Sequence, residues 1–479
     1  MNIASFINQI LLIASSFILA VLPAPKYVEG VVGQPRSFLP NQAVTQTDKT
    51  ISKLIFRGLF KYDIYGILVP DLAESWSISE DGLVYTIKMK DNQMWSDKRK
   101  ITADDLIYTS FKVNDLSGIA TDKVDDLTVR FTLPNKFSPF LSLMTIGVMP
   151  SGAEENFNSL TPVSSGPFKV LRIEKSGPIV KQVTLYNLNK DAKFKKLLFK
   201  YYSSIDEVET AAKLGEIDGF ISSKDYNLDN FAVYNFPVQS VYYALFFNLS
   251  NEKLQKTEFR QKLEKVLPID ALVMGKGIPV EGAVSRSIFT NKNLTFNKYD
   301  KTFEEIKNET TKQTIILTVP DLKVHKDLAS EIKRAWEDKL NVNIIIRTID
   351  PGRLDELALE KRNFEVLLYG QEIGRDPDRY VNWHSTQKDA PGLNISGFEQ
   401  VRADRALEEG RKEVDDDKRV VHYNEFQKVI NDQVPAIFLY HPYDKYYVSK
   451  YITGIGEKYT FTDTDRFLDF NNWQRIVTN

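Results

Sequence analysis

The densest set of chemically capable side chains is Gly370-Gln371-Glu372-Ile373-Gly374-Arg375-Asp376-Pro377-Asp378-Arg379-Tyr380, continued by Trp383-His384-Ser385. Its three carboxylates, Glu372, Asp376 and Asp378, could hold a cation through charge-assisted hydrogen bonds wherever water is partly excluded. The plainer reading of Asp376 and Asp378 is that they cap the acid-Pro turn, because an Asp carboxylate readily accepts from backbone two residues on. Tyr380, Trp383 and His384 beside it, and Tyr440 and Tyr443 elsewhere, offer aromatic area to a binder, although each aromatic is more often core, and Tyr242 lies on a run whose exposed backbone could pair with an extended ligand. Asn248 closes an aromatic run and could either meet an extended ligand or be satisfied by its own backbone.

Catalytic chemistry has no comparable support. His325, His384, His422 and His441 have no metal-ligand spacing, and no H-E-x-x-H occurs. Asp415-Asp416-Asp417 lacks the glycine and terminal Glu of a calcium loop and stands where acids favour a helix start. Gly275-x-Gly277 and Gly454-x-Gly456 lack the third glycine of a dinucleotide site, and neither a G-x-S-x-G elbow nor a phosphate-binding loop is present. No cofactor or metal is expected.

The elements that must position the loop follow from periodicity. Val241 to Asn248 (VYYALFFN) is a continuous apolar run of the kind covered on both faces of a sheet. Thr314 to Val319 and Val342 to Ile349 are strands separated by a helix, Asp327 to Leu340, with Leu328, Ile332, Trp336 and Leu340 aligned by fours. That spacing predicts a parallel pair with a helical crossover. Arg353 to Lys361 is a second helix, Phe364 to Tyr369 a third strand, and residues 370–397 a polar loop before helices over Gln400 to Glu413 and Asp416 to Asp432. In the first half, Asp48 to Phe60 is a helix with Ile51, Leu54, Ile55 and Leu59 on one face. Ser79 to Gly82 turns a hairpin into Leu83, Tyr85, Ile87 and Met89, and Thr102 starts a helix over Ala103 to Phe111. Leu197 to Tyr202, Ser204 to Leu214 and Ile217 to Ile221 form a β-α-β unit.

At 479 residues, with 42% apolar and 26% charged side chains, the chain is globular and too long for one ordinary domain. A net charge of -2 offers no footprint for nucleic acid, and the absence of cysteine removes disulfides and an N-terminal lipid anchor on cysteine. Asn2 to Pro25 carries no charge, and Ile3 to Leu22 is long enough to cross a bilayer. Without Lys or Arg ahead of it, and with Pro25 behind Ala24, this segment reads as an uncleaved anchor rather than a cleaved signal peptide.

The ordered submotifs G-L-x-x-Y-D (from Gly58), V-P-D-L-A-E-S-W (from Val69), D-G-x-x-Y-T (from Asp81), W-x-D (Trp95 to Asp97) and T-A-D-D-L (from Thr102) resemble the family 5 extracellular solute-binding proteins. These are the peptide-binding receptors of ABC importers, and the resemblance runs through most of the chain after Glu29. One departure is Lys98, where the family has glycine. The resemblance implies an α/β, two-lobed periplasmic-binding-protein-like fold of the large peptide-binding type, with an inserted subdomain and an N-terminal membrane segment. The implied division is an anchor or signal segment at 1–26, lobe I from 27–46, 161–245 and 441–479, the subdomain at 47–160, and lobe II at 246–440. It further implies a monomer outside the cell membrane, with peptide ligands, permease subunits and their ATPases as partners. In relatives a carboxylate just ahead of the acid-Pro turn pairs with the ligand's α-amine; here Ile373 holds that position and Glu372 stands one residue away, so Glu372, Asp376 and Asp378 are the candidates. Other members of the fold bind oligosaccharides, nickel chelates or haem; a surface hydrolase or structural protein is the reading from another class.

Overall fold

A computed structural model of the chain describes residues 25–153, 159–284 and 312–476. Residues 1–24 of the expected membrane segment lie outside the described residues, among which no helix is long and apolar enough to cross a membrane.

Strand β1 (Lys26–Val32) lies between two later strands, β10 (Lys196–Tyr202) and β11 (Gly219–Ser222), parallel to both. Helix α1 (Gln46–Ile55) follows, with the Thr45 hydroxyl accepting from the Asp48 N–H at 3.1 Å. It ends at Ile55, short of the expected Phe60. Phe56 is extended, and Gly58 passes so close to the Met144 carbonyl that an added Cβ would sit 2.7 Å from its oxygen. Leu59 therefore leads into β2 (Phe60–Tyr62), which pairs with β3 (Leu68–Pro70).

The hairpin of β4 (Ala73–Ile78) and β5 (Val84–Met89) turns at Gly82, with φ of 71°, and buries Tyr85, Ile87 and Met89. With β6 (Ala120–Lys123) and β7 (Thr128–Thr132) it makes a sheet of order β4-β5-β7-β6. Helix α2 (Ala103–Lys112) starts as expected at Thr102. The Asp105 carboxylate, 4% exposed, accepts from the Thr102 N–H at 2.9 Å, the Trp95 indole at 3.1 Å and the Ser151 N–H at 2.8 Å. Lys98 keeps the turn that glycine would make: its φ is 71° and its N–H donates to Trp95 O at 2.9 Å.

The main sheet has twelve strands, ten of them in the order β16-β15-β17-β13-β18-β11-β1-β10-β9-β8. Here β8 is Phe168–Ser176 and β9 Ile179–Asn187, while α3 (Ile205–Lys213), capped by Ser204, links β10 to β11. Beyond β12 (Phe231–Pro237) and β13 (Val241–Phe247), a short β14 (Gly277–Pro279) precedes the expected parallel pair, β15 (Gln313–Pro320) and β16 (Val342–Ile349), joined by α4 (Lys323–Lys339). β17 (Val366–Glu372) takes in the start of what sequence reads as loop. The segment expected as a helix over Arg353 to Lys361 is helical throughout but irregular, a 3₁₀ turn at Pro351–Arg353 running into a π-helix at Glu356–Lys361 that ends at left-handed Arg362. Helices α5 (Val401–Lys412) and α6 (Asp416–Gln433) follow, the second capped by Asp415, which accepts from the N–H groups of Asp417 and Lys418 at 2.9 and 3.2 Å.

Strand β18 (Ala436–Ser449) ties the two halves together. Its Ala436–Tyr440 part pairs with β13, and its Tyr443–Ser449 part pairs with β12 and β11. The chain thus passes between halves at 237–241 and again at 440–443. The first crossing precedes the expected 245/246 boundary, because β13 is already hydrogen-bonded along its whole length to β17.

Candidate functional site

The loop after β17 leaves the sheet at the crossing. Glu372 is opposite Val241, and the next residue, Ile373, is buried and donates its N–H to Ser240 O at 2.8 Å. Arg379, with no exposed surface, shapes the loop from inside. Its Nη1 donates to the carbonyls of Gly374, Asp376 and Asp378 at 3.2, 2.5 and 3.1 Å, and its Nε to Ala283 O at 2.9 Å. Burial lowers its guanidinium from the ordinary arginine range, since no carboxylate stands against it as an ion pair among the described residues.

The acids of the loop divide into two kinds. Asp376 accepts from the Asp378 N–H at 2.9 Å and from both terminal nitrogens of buried Arg419, at 2.7 and 3.2 Å. Asp378 accepts from the Tyr380 N–H at 3.0 Å and from Arg411 Nε and Nη2 at 2.8 and 2.6 Å. Both cap turns and take two bonds from an arginine, Asp376 through both oxygens and Asp378 through Oδ2 alone, so neither carboxylate stands unpaired as an amine partner would. Glu372 is exposed, and its carboxylate has no hydrogen-bond or ion-pair partner among the described residues.

Several aromatic candidates belong to the core. Tyr242 and Trp383, 0% and 1% exposed, pack together with Phe438, and the Trp383 indole donates to the Tyr242 hydroxyl at 3.2 Å. Tyr440, 3% exposed, stacks on Tyr243 at 5.2 Å, and burial raises its hydroxyl above the usual range. All three rings are buried in the core, Trp383 and Tyr440 where a cleft wall was the expectation. Asn248 is satisfied locally, donating to the Arg362 and Phe364 carbonyls at 3.0 Å each and accepting from the Ser250 N–H at 3.1 Å. His384 is buried, with Nδ1 2.9 Å from Thr386 Oγ1, Nε2 3.2 Å from Glu408 Oε1, and its ring on Tyr380 at 4.0 Å. Tyr380 is half-buried beneath the Arg411 guanidinium at 4.1 Å. Tyr443 is half-buried on β18 at the second crossing.

A contact that sequence reasoning missed joins the halves. Arg375, its side chain 9% exposed, forms an ion pair with Asp465, 7% exposed, and its guanidinium lies over the rings of Tyr62 at 4.4 Å and Phe461 at 4.9 Å. Close by, Asp444 on β18 is pushed up to about 6, by burial first and by the neighbouring Asp463 second. The only local signal was an arginine set between Gly374 and the acid-Pro turn; its partner lies 90 residues away.

Comparison with known proteins places this architecture. Residues 68–392 match the family described as bacterial extracellular solute-binding proteins, family 5 Middle. Di/tripeptide-binding protein 1 of Pseudomonas aeruginosa is 23% identical over 476 aligned positions, covering 85% of this chain and 87% of that protein. The oligopeptide-binding protein AppA of Bacillus subtilis, solved with a nonapeptide, superposes with a TM-score of 0.64 at 20% identity, covering 94% of this chain and 99% of that one. NikZ of Campylobacter jejuni, solved with Ni(L-His), gives 0.71 at 23% identity, covering 95% and 100%. With more than half of its length matched by the family pattern, the chain belongs to the family 5 bacterial extracellular solute-binding proteins.

Proposed function

We propose that this chain is the peptide-capturing receptor of an ABC importer, with its ligand held at the seam between lobe I (27–46, 161–240 and 441–479, with the subdomain 47–160) and lobe II (241–440), the boundary set at the crossing ahead of β13. Family membership and the di/tripeptide-binding relative support the reading. A ligand touching both lobes stabilises the closed form by its differential affinity for that form. The closed form then docks on permease subunits, whose ATPases supply the energy; no catalytic step is assigned to this chain, which acts as a monomer.

The observation that carries the recognition step is the contrast among the loop acids: Asp376 and Asp378 are consumed by Arg419 and Arg411, while Glu372 stands exposed and unpaired beside the crossing. Glu372 is the amine partner, shifted one residue from the family's usual position. Calorimetry with tri-alanine tests this. Glu372→Gln is expected to weaken binding about tenfold, ~1.4 kcal/mol, and N-acetylation of the peptide to do the same to the wild type. Equal binding by the variant would reject Glu372. For the N-terminal segment, an uncleaved anchor predicts that full-length protein stays with membranes on detergent-free fractionation; full-length protein in the supernatant would overturn it.

A further inference from the structure

The Arg375 contact has the chemistry of a cation receptor. A carboxylate and three ring faces converge on one guanidinium: Asp465 as ion-pair partner, Tyr62 at 4.4 Å, Phe461 at 4.9 Å and Tyr459 at 5.8 Å. Ring faces attract cations through their quadrupoles, and more strongly when water is excluded. The cage is preorganised without Arg375. The Asp465 carboxylate is fixed by the N–H groups of Phe461 and Thr462, both at 2.9 Å.

Occupant and walls sit on different parts of the chain. Arg375 follows β17 in the second half. The walls are tied to the first: Tyr62 is part of β2, the Tyr459 N–H donates to Ile64 O at 2.9 Å, and the Asp465 turn is bonded to α1 through Thr464–Thr50 at 3.1 Å and Gln46–Asp463 at 2.6 Å. Opening the lobes therefore withdraws Arg375 and leaves an empty cage with a carboxylate facing the cleft. The occupant also fits imperfectly, because its buried Nη1 has no acceptor among the described residues.

We propose that Tyr62, Tyr459, Phe461 and Asp465 form a cation-recognition cage, filled in the closed chain by its own Arg375, and that a ligand's ammonium or guanidinium group competes for it. The inference rests on the two-lobe closure described above. It adds a second cation site, on the opposite wall from Glu372.

The test uses full-length Arg375→Ala, with methylguanidinium and methylammonium as probes and N-methylurea as the neutral control, read by thermal shift and calorimetry. The expected result is saturable stabilisation of the variant by one or both cations, about tenfold stronger than for wild type, with no response to N-methylurea and loss of the response in Arg375→Ala/Asp465→Asn. The cation that wins identifies the ligand group. A variant that responds no better than wild type, or a response that survives Asp465→Asn, overturns the cage. Should Arg375→Ala not fold, Arg375→Gln keeps most of the volume without the charge and decides by the same comparison. In a separate arm, Arg375→Gln is expected to bind Ala-Ala-Lys, whose side chain supplies a second cation beside the α-amine held by Glu372, tighter than wild type; equal or weaker binding means that Arg375 does not compete with the ligand, which also overturns the proposal. If Ala-Ala-Lys binds neither protein, the peptide reading fails while the methylguanidinium arm still decides the cage.

Discussion

Asp376→Asn and Glu372→Gln should produce opposite patterns, one in stability and the other in binding. The Arg419 side chain is 5% exposed and that of Asp376 12%. Besides the two bonds to Asp376, Arg419 donates Nε to Gly410 O at 3.2 Å and lies 5.5 Å from the centre of the Tyr423 ring. Neutralising Asp376 leaves that buried guanidinium with only the exposed Asp416 carboxylate, 4.0 Å from Nη1, as counter-charge, and removing one partner of a buried pair costs about 3–5 kcal/mol. Asn retains an acceptor oxygen, so the lower end, about 3 kcal/mol, is expected; with a urea slope near 3 kcal/mol/M this moves the midpoint by about 1 M. Peptide affinity should change less than about threefold, ~0.6 kcal/mol, because neither oxygen of Asp376 faces a ligand. Glu372→Gln, on an exposed and unpaired side chain, should shift stability by less than about 0.5 kcal/mol while losing the tenfold in affinity proposed above. Urea unfolding followed by tryptophan fluorescence and calorimetry on the same preparations read both quantities. An unchanged midpoint with lost affinity for Asp376→Asn would reverse the assignment, making Asp376 the ligand's partner and its Arg419 pair dispensable.

Lys98 holds a left-handed conformation on the surface, which costs an L-residue more than glycine loses in chain entropy, so Lys98→Gly should raise the thermal midpoint by the equivalent of about 0.5–1 kcal/mol. A fall would show that the lysine side chain repays the strain. Asp444 titrates near 6 in the folded chain, above the unfolded carboxylate range, so the folded state binds the extra proton and stability falls as pH rises from about 4 to 6. Asp444→Asn should lose this slope and gain on wild type by about 1–2 kcal/mol at pH 7 relative to pH 4, allowing for the water that still reaches the incompletely buried carboxylate; parallel pH profiles would refute it. Asn248→Ala removes the donor that satisfies two carbonyls at the Arg362 turn and should cost about 1–3 kcal/mol by urea unfolding, with tri-alanine affinity unchanged. Lost affinity without lost stability would return Asn248 to the ligand site.

What could be read from the sequence depended on whether the controlling contact was local. The Thr102 and Ser204 starts, the Gly82 hairpin and the β15-α4-β16 unit were legible because cap, turn and apolar spacing lie within a few residues of one another. The end of α1 was not, because Leu59 continues the helical spacing of Ile51 and Ile55 while the break is set by Gly58 against Met144, far along the chain. The same limit governed the site. The composition of the Gly370 to Ser385 loop marked it as important, yet Tyr242, Trp383 and Tyr440 proved to be core, since an aromatic run reads alike whether it lines a cleft or fills an interior.

The residues that identify the family and those that distinguish this member do different physical work. Asp71 of the V-P-D-L submotif takes Arg57 Nη2 at 2.7 Å and Nε at 3.0 Å, and Asp105 of T-A-D-D-L gathers the Trp95 indole and two N–H groups. Both carboxylates are saturated inside the subdomain and leave no charge over for a ligand. In the loop after β17 the family's amine-site position is apolar Ile373, two other acids are neutralised by arginines, and an extra cation, Arg375, reaches across to Asp465. The seam therefore holds one unpaired acid, two acids neutralised by arginines and one arginine that bridges to Asp465. Ligand preference in this member should follow the unpaired Glu372 and the Arg375-filled cage, and substrate assignments carried over from relatives by overall likeness bypass the residues that decide it.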